Sequence, residues 1–448
     1  MLIRFIIENF SSFGAQVEFS MVAGRQRIHP THIVDTPDNQ FKLLRTGVIY
    51  GANASGKSNL VKAIKFAKDL IVDGTLPMGR IPVRPFLLDA SLRTKPSVFQ
   101  FSFCQNGLCW TYGFKVTSEK VIEEWLLKLS GEKETPVFER SIDDEGNVKI
   151  EFAPSITASA EDRNFFKFLV RGIRPNQLFL TESMQRNVSQ FRDVWEWFAR
   201  KLILVFPEWH AKELEITFRD KSKIAASLMD LLRTFDTGIA NIEASELPLD
   251  ASNPDFSEKE RNNIEKMMMD TKDNLMLSEI NDARYAIVRN EHGKLVALKL
   301  RALHPVRGTR ENISFDFSEE SEGTQRILDL LPTMTSLAGE DNVIIIDEID
   351  RSLHPHVIYA FFDIFLREEI KKKSQLIATT HAENLLTFKL LRKDEIWFMD
   401  KNKDGESRMF SLEEFNPRYD KDILNSYMNG RFGAVPLITH MHNSLVKE

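Results

Sequence analysis

The chain has 448 residues, 42 % hydrophobic and 28 % charged, with a formal net charge of −6 at pH 7 and two cysteines. This composition suits a globular protein of two or more packed lobes; it excludes a disulfide-stapled miniprotein and a chain whose whole surface grips nucleic acid. No apolar run is long enough to cross a bilayer and the N-terminus lacks a signal-peptide cleavage site, so a cytoplasmic protein is expected.

Residues 3–7 and 17–21 read as strands by their alternating apolar pattern. Val48-Ile49-Tyr50 is a further apolar strand, and it runs into Gly51-Ala52-Asn53-Ala54-Ser55-Gly56-Lys57-Ser58. A helix with apolar residues at Leu60, Ile64, Ala67 and Ile71 follows. Strand, glycine-bearing loop and helix in this order form a phosphate-binding loop, with backbone N–H groups aimed at β- and γ-phosphate oxygens. Lys57 is the point charge on those oxygens and Ser58 the hydroxyl for Mg²⁺. Next, 98–103 and 110–116 read as a hairpin about Asn106-Gly107, which sets Cys104 across from Cys109. A cross-strand disulfide is geometrically open to the pair, but reduced thiols are expected in the cytosol.

From about 160 to 283 the pattern turns helical. Phe191, Val194, Trp195, Phe198, Leu202 and Val205 fall at helical spacing, as do Ile224, Leu228, Leu231 and Phe235. Residues 257–280, with Met267-Met268-Met269, predict a third helix, and Pro248 and Pro254 predict a flexible joint. A second hairpin is expected from 285–288 and 295–298. The predicted organisation is thus a β-rich N-terminal lobe with the phosphate loop over 1–155, a helical insertion over 156–284, and a C-terminal half over 285–448.

That C-terminal half carries the remaining chemistry. Val343-Ile344-Ile345-Ile346 is the apolar run of a buried parallel strand and ends in Asp347-Glu348. Loops at the C-terminal edge of such a sheet converge, so Asp347 is placed to hold Mg²⁺ and Glu348 to orient or deprotonate water. Leu376-Ile377-Ala378-Thr379-Thr380-His381 is a second buried strand, whose terminal histidine can contact a γ-phosphate. Ser321-Glu322-Gly323-Thr324 opens a helix from Gln325 and makes a second candidate anion site. The pairs His354/His356 and His440/His442 lack a third ligand, and the cluster Lys371-Lys372-Lys373 reads as a solvated helix end.

Together these residues resemble the ABC-type ATPase heads of the SMC, RecF and overcoming-lysogenization-defect kind, and more narrowly the AAA15 family of bacterial phage-defence ATPases. The resemblance rests on Asn9-Phe10-Ser11-Ser12-Phe13 in the first strand motif, Gly51 to Ser58 as Walker A, and Ser321 with Gly323 as the signature. It rests also on Asp347-Glu348 as Walker B, Asp350 in the D-loop, His381 as the switch histidine, and Asn429-Gly430-Arg431-Phe432-Gly433-Ala434-Val435-Pro436 near the end. It implies an α/β P-loop NTPase head that binds ATP and Mg²⁺. Nucleotide contacts would fall on Asn53, Ala54, Ser55, Gly56, Lys57, Ser58 and Asn59, with Ser321, Gly323 and Asp350 contributing and Ser58 and Asp347 on the metal. Glu348, His381 and Lys57 would carry hydrolysis.

The narrower likeness is to the ATPase component of PARIS-type and retron-associated defence pairs. It implies a homo-oligomer built on head-to-tail dimers, a separately encoded nuclease or toxin as effector, and a phage-derived trigger. Two positions depart from the superfamily: Glu322 and Thr324 stand where Gly and Gln or Glu are usual, and 83–88 holds no Q-loop glutamine. A carboxylate at Glu322 would repel a γ-phosphate, which predicts slow or gated turnover. The alternative is a RecF- or SMC-like repair ATPase that binds DNA, for which the net charge is unfavourable. A transporter motor fits less well, given the Asn9-Phe10 strand and the altered signature.

Overall fold

The computed structural model describes residues 1–143, 145–211, 214–250, 252–270, 275–280, 283–339, 341–367, 373–419 and 422–435. His440, His442, Pro436, Lys371 and Lys372 lie outside the described residues. The chain divides into two compact units: 1–207 with 340–350 and 358–448, and 208–339 with 351–357.

The first unit is built on a six-stranded sheet in the order Leu202–Val205, Val343–Ile346, Gln375–Thr379, Thr46–Gly51, Ile396–Lys401, Ser407–Ser411. The first five strands are parallel and the last is antiparallel. Strands buried on both faces must be apolar throughout, which is why Val343–Ile346 shows no alternation. The histidine-bearing strand lies between the phosphate-loop strand and the acid-bearing strand, so all three C-terminal ends open on one edge.

A seven-stranded antiparallel sheet completes this unit, in the order Val148–Phe152, Lys133–Ile142, Val121–Ser130, Leu108–Val116, Ser97–Gln105, Leu2–Glu8, Val17–Ser20. The phosphate-loop helix Lys57–Val72 buries Leu60, Val61, Ile64, Ala67 and Ile71 in one core with Phe5, Phe99 and Phe101 of this sheet and Ile345 and Ile377 of the other. The helix therefore starts from a foundation shared by both sheets. The short helix Ile423–Met428 packs Tyr427 on Tyr50 and Phe398, and Phe432 stacks on Phe398 as well. Tyr427 thus braces the strand that feeds the phosphate loop, and Phe432 of the motif near the C-terminus braces the strand beside it.

The Asn-Gly turn forms as the sequence requires, with φ +48° at Asn106 and +80° at Gly107. It pairs Cys104 directly with Cys109, and the two are disulfide-bonded rather than reduced. The register of a two-residue turn leaves the thiols facing each other, which corrects the expectation drawn from compartment alone.

The helical lobe expected over 156–284 is not a unit of its own. The helix Arg192–Glu196 passes through a π-turn, Trp197–Lys201, into the strand Leu202–Val205, which pairs with Val343–Ile346. Leu202 and Val205 share helical spacing with Phe198, but sheet pairing decides their conformation. Likewise 257–280 splits into the helix Glu258–Asp270 and the strand Leu275–Ile280.

The second unit holds a sheet in the order Asn241–Pro248, Leu295–Pro305, Ala283–Arg289, Leu275–Ile280, with Asn312–Asp316 paired to the far end of Leu295–Pro305. The expected hairpin at 285–298 belongs to it. Pro248 is paired with Val296, and Asn253 donates to the Pro248 carbonyl, so the expected joint is a bonded strand end. Among the described residues no helix is long and apolar enough to cross a membrane.

Candidate functional site

The phosphate loop is shaped by two left-handed residues, Ala54 at φ +63° and Gly56 at φ +115°. A Cβ on Gly56 would lie 2.2 Å from Ser407 Oγ and 3.0 Å from Ser12 Oγ, and one on Gly51 would lie 2.5 Å from the Met399 carbonyl oxygen. Only glycine fits either place. The same hydroxyls hold the loop. Ser407 Oγ is 2.6 Å from the Ser55 carbonyl oxygen and 2.8 Å from Ser12 Oγ, which accepts from Asn59 Nδ2 at 2.9 Å. Asn9, buried and at φ +52°, donates to the Leu92 and Lys95 carbonyls and accepts from the Phe86 amide. The opening Asn9 to Phe13 motif is thereby a brace for the loop. Ser407 belongs to the same brace, and no local motif marks it.

Lys57 opens the helix with its Nζ 2.7 Å from the Gly51 carbonyl oxygen and 3.0 Å from His381 Nε2. Burial lowers its pKa, against the pull of Asp350, Asp347 and Glu348. Burial also lowers that of His381, and the Lys57 charge adds to the effect. A neutral imidazole accepting from the ammonium fits the downward shift of His381.

Ser58 Oγ lies 3.3 Å from Asp347 Oδ1. The same carboxylate oxygen accepts from Thr379 Oγ1 at 2.6 Å, and Thr379 Oγ1 in turn accepts from the Glu348 amide at 2.8 Å. Asp350 accepts from Thr380 Oγ1 at 2.8 Å and from the His381 amide at 3.0 Å. Lys57, Ser58, Asp347, Glu348, Asp350 and His381 are therefore assembled in the first unit, on the edge where three parallel strands end. Asn53 and Ala54 are exposed at the crown of the loop, and Ser55 Oγ is buried without a hydrogen-bond partner.

Ser321 and Gly323 belong to the second unit. Ser321 is exposed and its Oγ accepts from the Thr324 amide at 3.2 Å, capping the helix Glu322–Gly339. A Cβ on Gly323 would lie 2.8 Å from the Ser352 carbonyl oxygen, so the helix start and the segment after Asp350 touch backbone to backbone within this unit. Ser352 Oγ donates to Glu322 Oε2 at 3.0 Å. The carboxylate expected to repel phosphate is thus engaged by Ser352. His354 accepts from the His356 amide at 3.2 Å, and no group of three or more metal-ligating side chains gathers among the described residues.

The helix Glu322–Gly339 is anchored further along by Asp329, which accepts from the Ala211 amide, from Arg284 Nη1 at 3.0 Å, and lies 2.7 Å from His210 Nδ1. The Asp329 hydrogen bond raises the His210 pKa above 6.5, outweighing burial. The folded state then binds that proton more tightly than the unfolded one. The stabilisation is full below the unfolded value and is lost as pH rises through the folded value. His210→Gln is expected to lower the melting temperature more at about pH 5.5 than at about pH 8.5, a modest gap because His210 is half exposed; thermal melts across that range check it.

No curated protein matches the chain. Among solved structures, the SMC head domain from Thermotoga maritima aligns with a TM-score of 0.38 at 13 % identity, covering 92 % of this chain and 98 % of that one. An SMC head bound to the C-terminal winged-helix domain of ScpA aligns with a TM-score of 0.39 at 13 % identity, over 93 % and 99 % of the two chains. The strand order and loop positions given above assign the fold: an α/β P-loop NTPase. A family model described as "AAA domain, putative AbiEii toxin, Type IV TA system" matches residues 48–387. That span is more than half of the chain and runs from the phosphate-loop strand past His381, and the protein belongs to this family.

Proposed function

We propose that this protein is a Mg²⁺-dependent ATPase whose heads pair head to tail, acting as sensor and scaffold of a bacterial anti-phage system. The observation that carries the ATPase reading is the meeting of Lys57, Ser58, Asp347, Glu348 and His381 on one sheet edge. The site fits a nucleotide on its own geometry: a tightly curled loop whose Gly51 and Gly56 have no room for a Cβ, a buried unpartnered Ser55 hydroxyl, and a hydroxyl beside a carboxylate. Ser58 and Asp347 would hold Mg²⁺, which neutralises phosphate charge when bound. Lys57 would leave the Gly51 carbonyl and His381 for the phosphate oxygens. Glu348 would take the proton of the attacking water, and neutral His381 would donate or accept at its Nε2.

Lys57→Ala removes the charge-assisted contact, worth about 1.5–3 kcal/mol. ATP affinity is expected to fall by about 10- to 150-fold, read by titration with a fluorescent nucleotide. An unchanged dissociation constant would sink the assignment of the loop.

The defence reading is supported by the family's toxin–antitoxin description and by the resemblance of the motifs to phage-defence ATPases. On this reading ATP clamps two heads, and hydrolysis or a phage-derived trigger frees a separately encoded nuclease or toxin. Purification together with the product of the neighbouring gene, with and without ATP, tests it; a repair factor or DNA as the retained partner would favour the RecF-like alternative.

A further inference from the structure

The turn after the acid strand is gripped from the neighbouring strand by one residue. Thr379 ends Gln375–Thr379 and is fully buried. Its hydroxyl donates to Asp347 Oδ1 at 2.6 Å and accepts the Glu348 amide at 2.8 Å, while its carbonyl accepts the Ile349 amide at 3.1 Å. Three consecutive residues of the 347–349 turn are thus tied to a single side chain and its backbone. A buried hydroxyl is costly unless bonded, and this one is bonded on both sides.

The grip matters because Glu348 sits at φ +49°. A non-glycine residue there carries strain of about 1–3 kcal/mol and persists only where its surroundings enforce it. The Glu348 amide has Thr379 Oγ1 as its acceptor, so the hydroxyl helps keep the left-handed turn that sets the direction of the carboxylate. It also fills one lone pair of Asp347 Oδ1, the oxygen nearest Ser58. We infer that Thr379 is a positioning residue of the ATPase site, aligning the metal-facing carboxylate of Asp347 and the backbone of Glu348 together. This rests on the ATPase reading above and adds to it a residue that acts through both acids.

The test is Thr379→Val, which keeps the shape and removes both hydroxyl bonds, with Thr379→Ser to restore them. Nucleotide binding without Mg²⁺ should match the wild type. The Mg²⁺ concentration that half-saturates nucleotide binding should rise by about tenfold or more, and kcat should fall by about 10- to 100-fold with KM little changed. Thr379→Ser should return both quantities to within about threefold of the wild type. If Thr379→Val folds poorly, Thr379→Ala removes the same hydroxyl without a second methyl and carries the same expectation. Wild-type Mg²⁺ dependence in Thr379→Val, or a serine variant as impaired as the valine one, overturns the inference. A wild type without any Mg²⁺-linked nucleotide binding overturns the ATPase reading itself and this assignment with it.

Discussion

Glu348→Gln is expected to bind ATP about as tightly as the wild type and to hydrolyse it about 100-fold or more slowly. The substitution keeps the side-chain volume and leaves the backbone amide of residue 348 on Thr379 Oγ1. It leaves untouched Lys57, Ser58 and Asp347, the groups assigned to phosphate and metal. What it removes is the only function assigned to the carboxylate, taking a proton from water. A hundredfold loss corresponds to about 2.7 kcal/mol of barrier, well within what a positioned base supplies. Because nucleotide stays bound, paired heads should accumulate, and light scattering with ATP should show a larger species than with ADP. Single-turnover hydrolysis together with nucleotide titration separates this outcome from that of Lys57→Ala, which loses binding first. Normal hydrolysis in Glu348→Gln would move the base elsewhere, and His381 would be the next group to replace.

Much of this site was legible because its parts are local. The phosphate loop needs glycine where a Cβ would strike Ser407, and a lysine at the helix start, so eight consecutive residues carry the pattern. The acid and histidine strands are legible because strands covered on both faces carry unbroken apolar runs, Val343–Ile346 and 376–378, before the polar residues at their ends. Ser407 and Thr379 were not legible as part of the site. Each is one hydroxyl residue, and its meaning lies in the register of strands that are distant in sequence: Ser407 stands 352 residues from the carbonyl it meets. The unit boundary failed for a related reason. Leu202, Val205 and the stretch from Leu275 carry apolar residues whose short runs suit helix and strand alike, and distant pairing partners settle the matter. The exposed position of Glu322 hid its partner in the same way, since Ser352 reaches it only once the segment after Asp350 is folded.

Mixing two inactive variants should restore activity if a nucleotide is shared between subunits. Lys57→Ala lacks the lysine assigned to phosphate, and Ser321→Ala lacks the exposed hydroxyl at the start of the helix Glu322–Gly339. Lys57 and Ser321 lie in different compact units of the chain, and one nucleotide already has a complete loop around Lys57. In a head-to-tail dimer each pocket takes Lys57 from one chain and Ser321 from its partner. A mixed dimer then holds one pocket lacking both groups and one pocket with both intact. Random pairing makes about half of the dimers mixed, so turnover per chain should recover to about one quarter of the wild type. Either variant alone should stay near background. Loss of the Ser321 cap costs the helix start about 1 kcal/mol, so a melting curve is needed to show that Ser321→Ala remains folded. No recovery on mixing folded variants would mean that Ser321 serves the nucleotide of its own chain or none, and the head-to-tail assembly would have to be abandoned. Recovery above background has no explanation in which each chain completes its own pocket, because neither variant contains both groups.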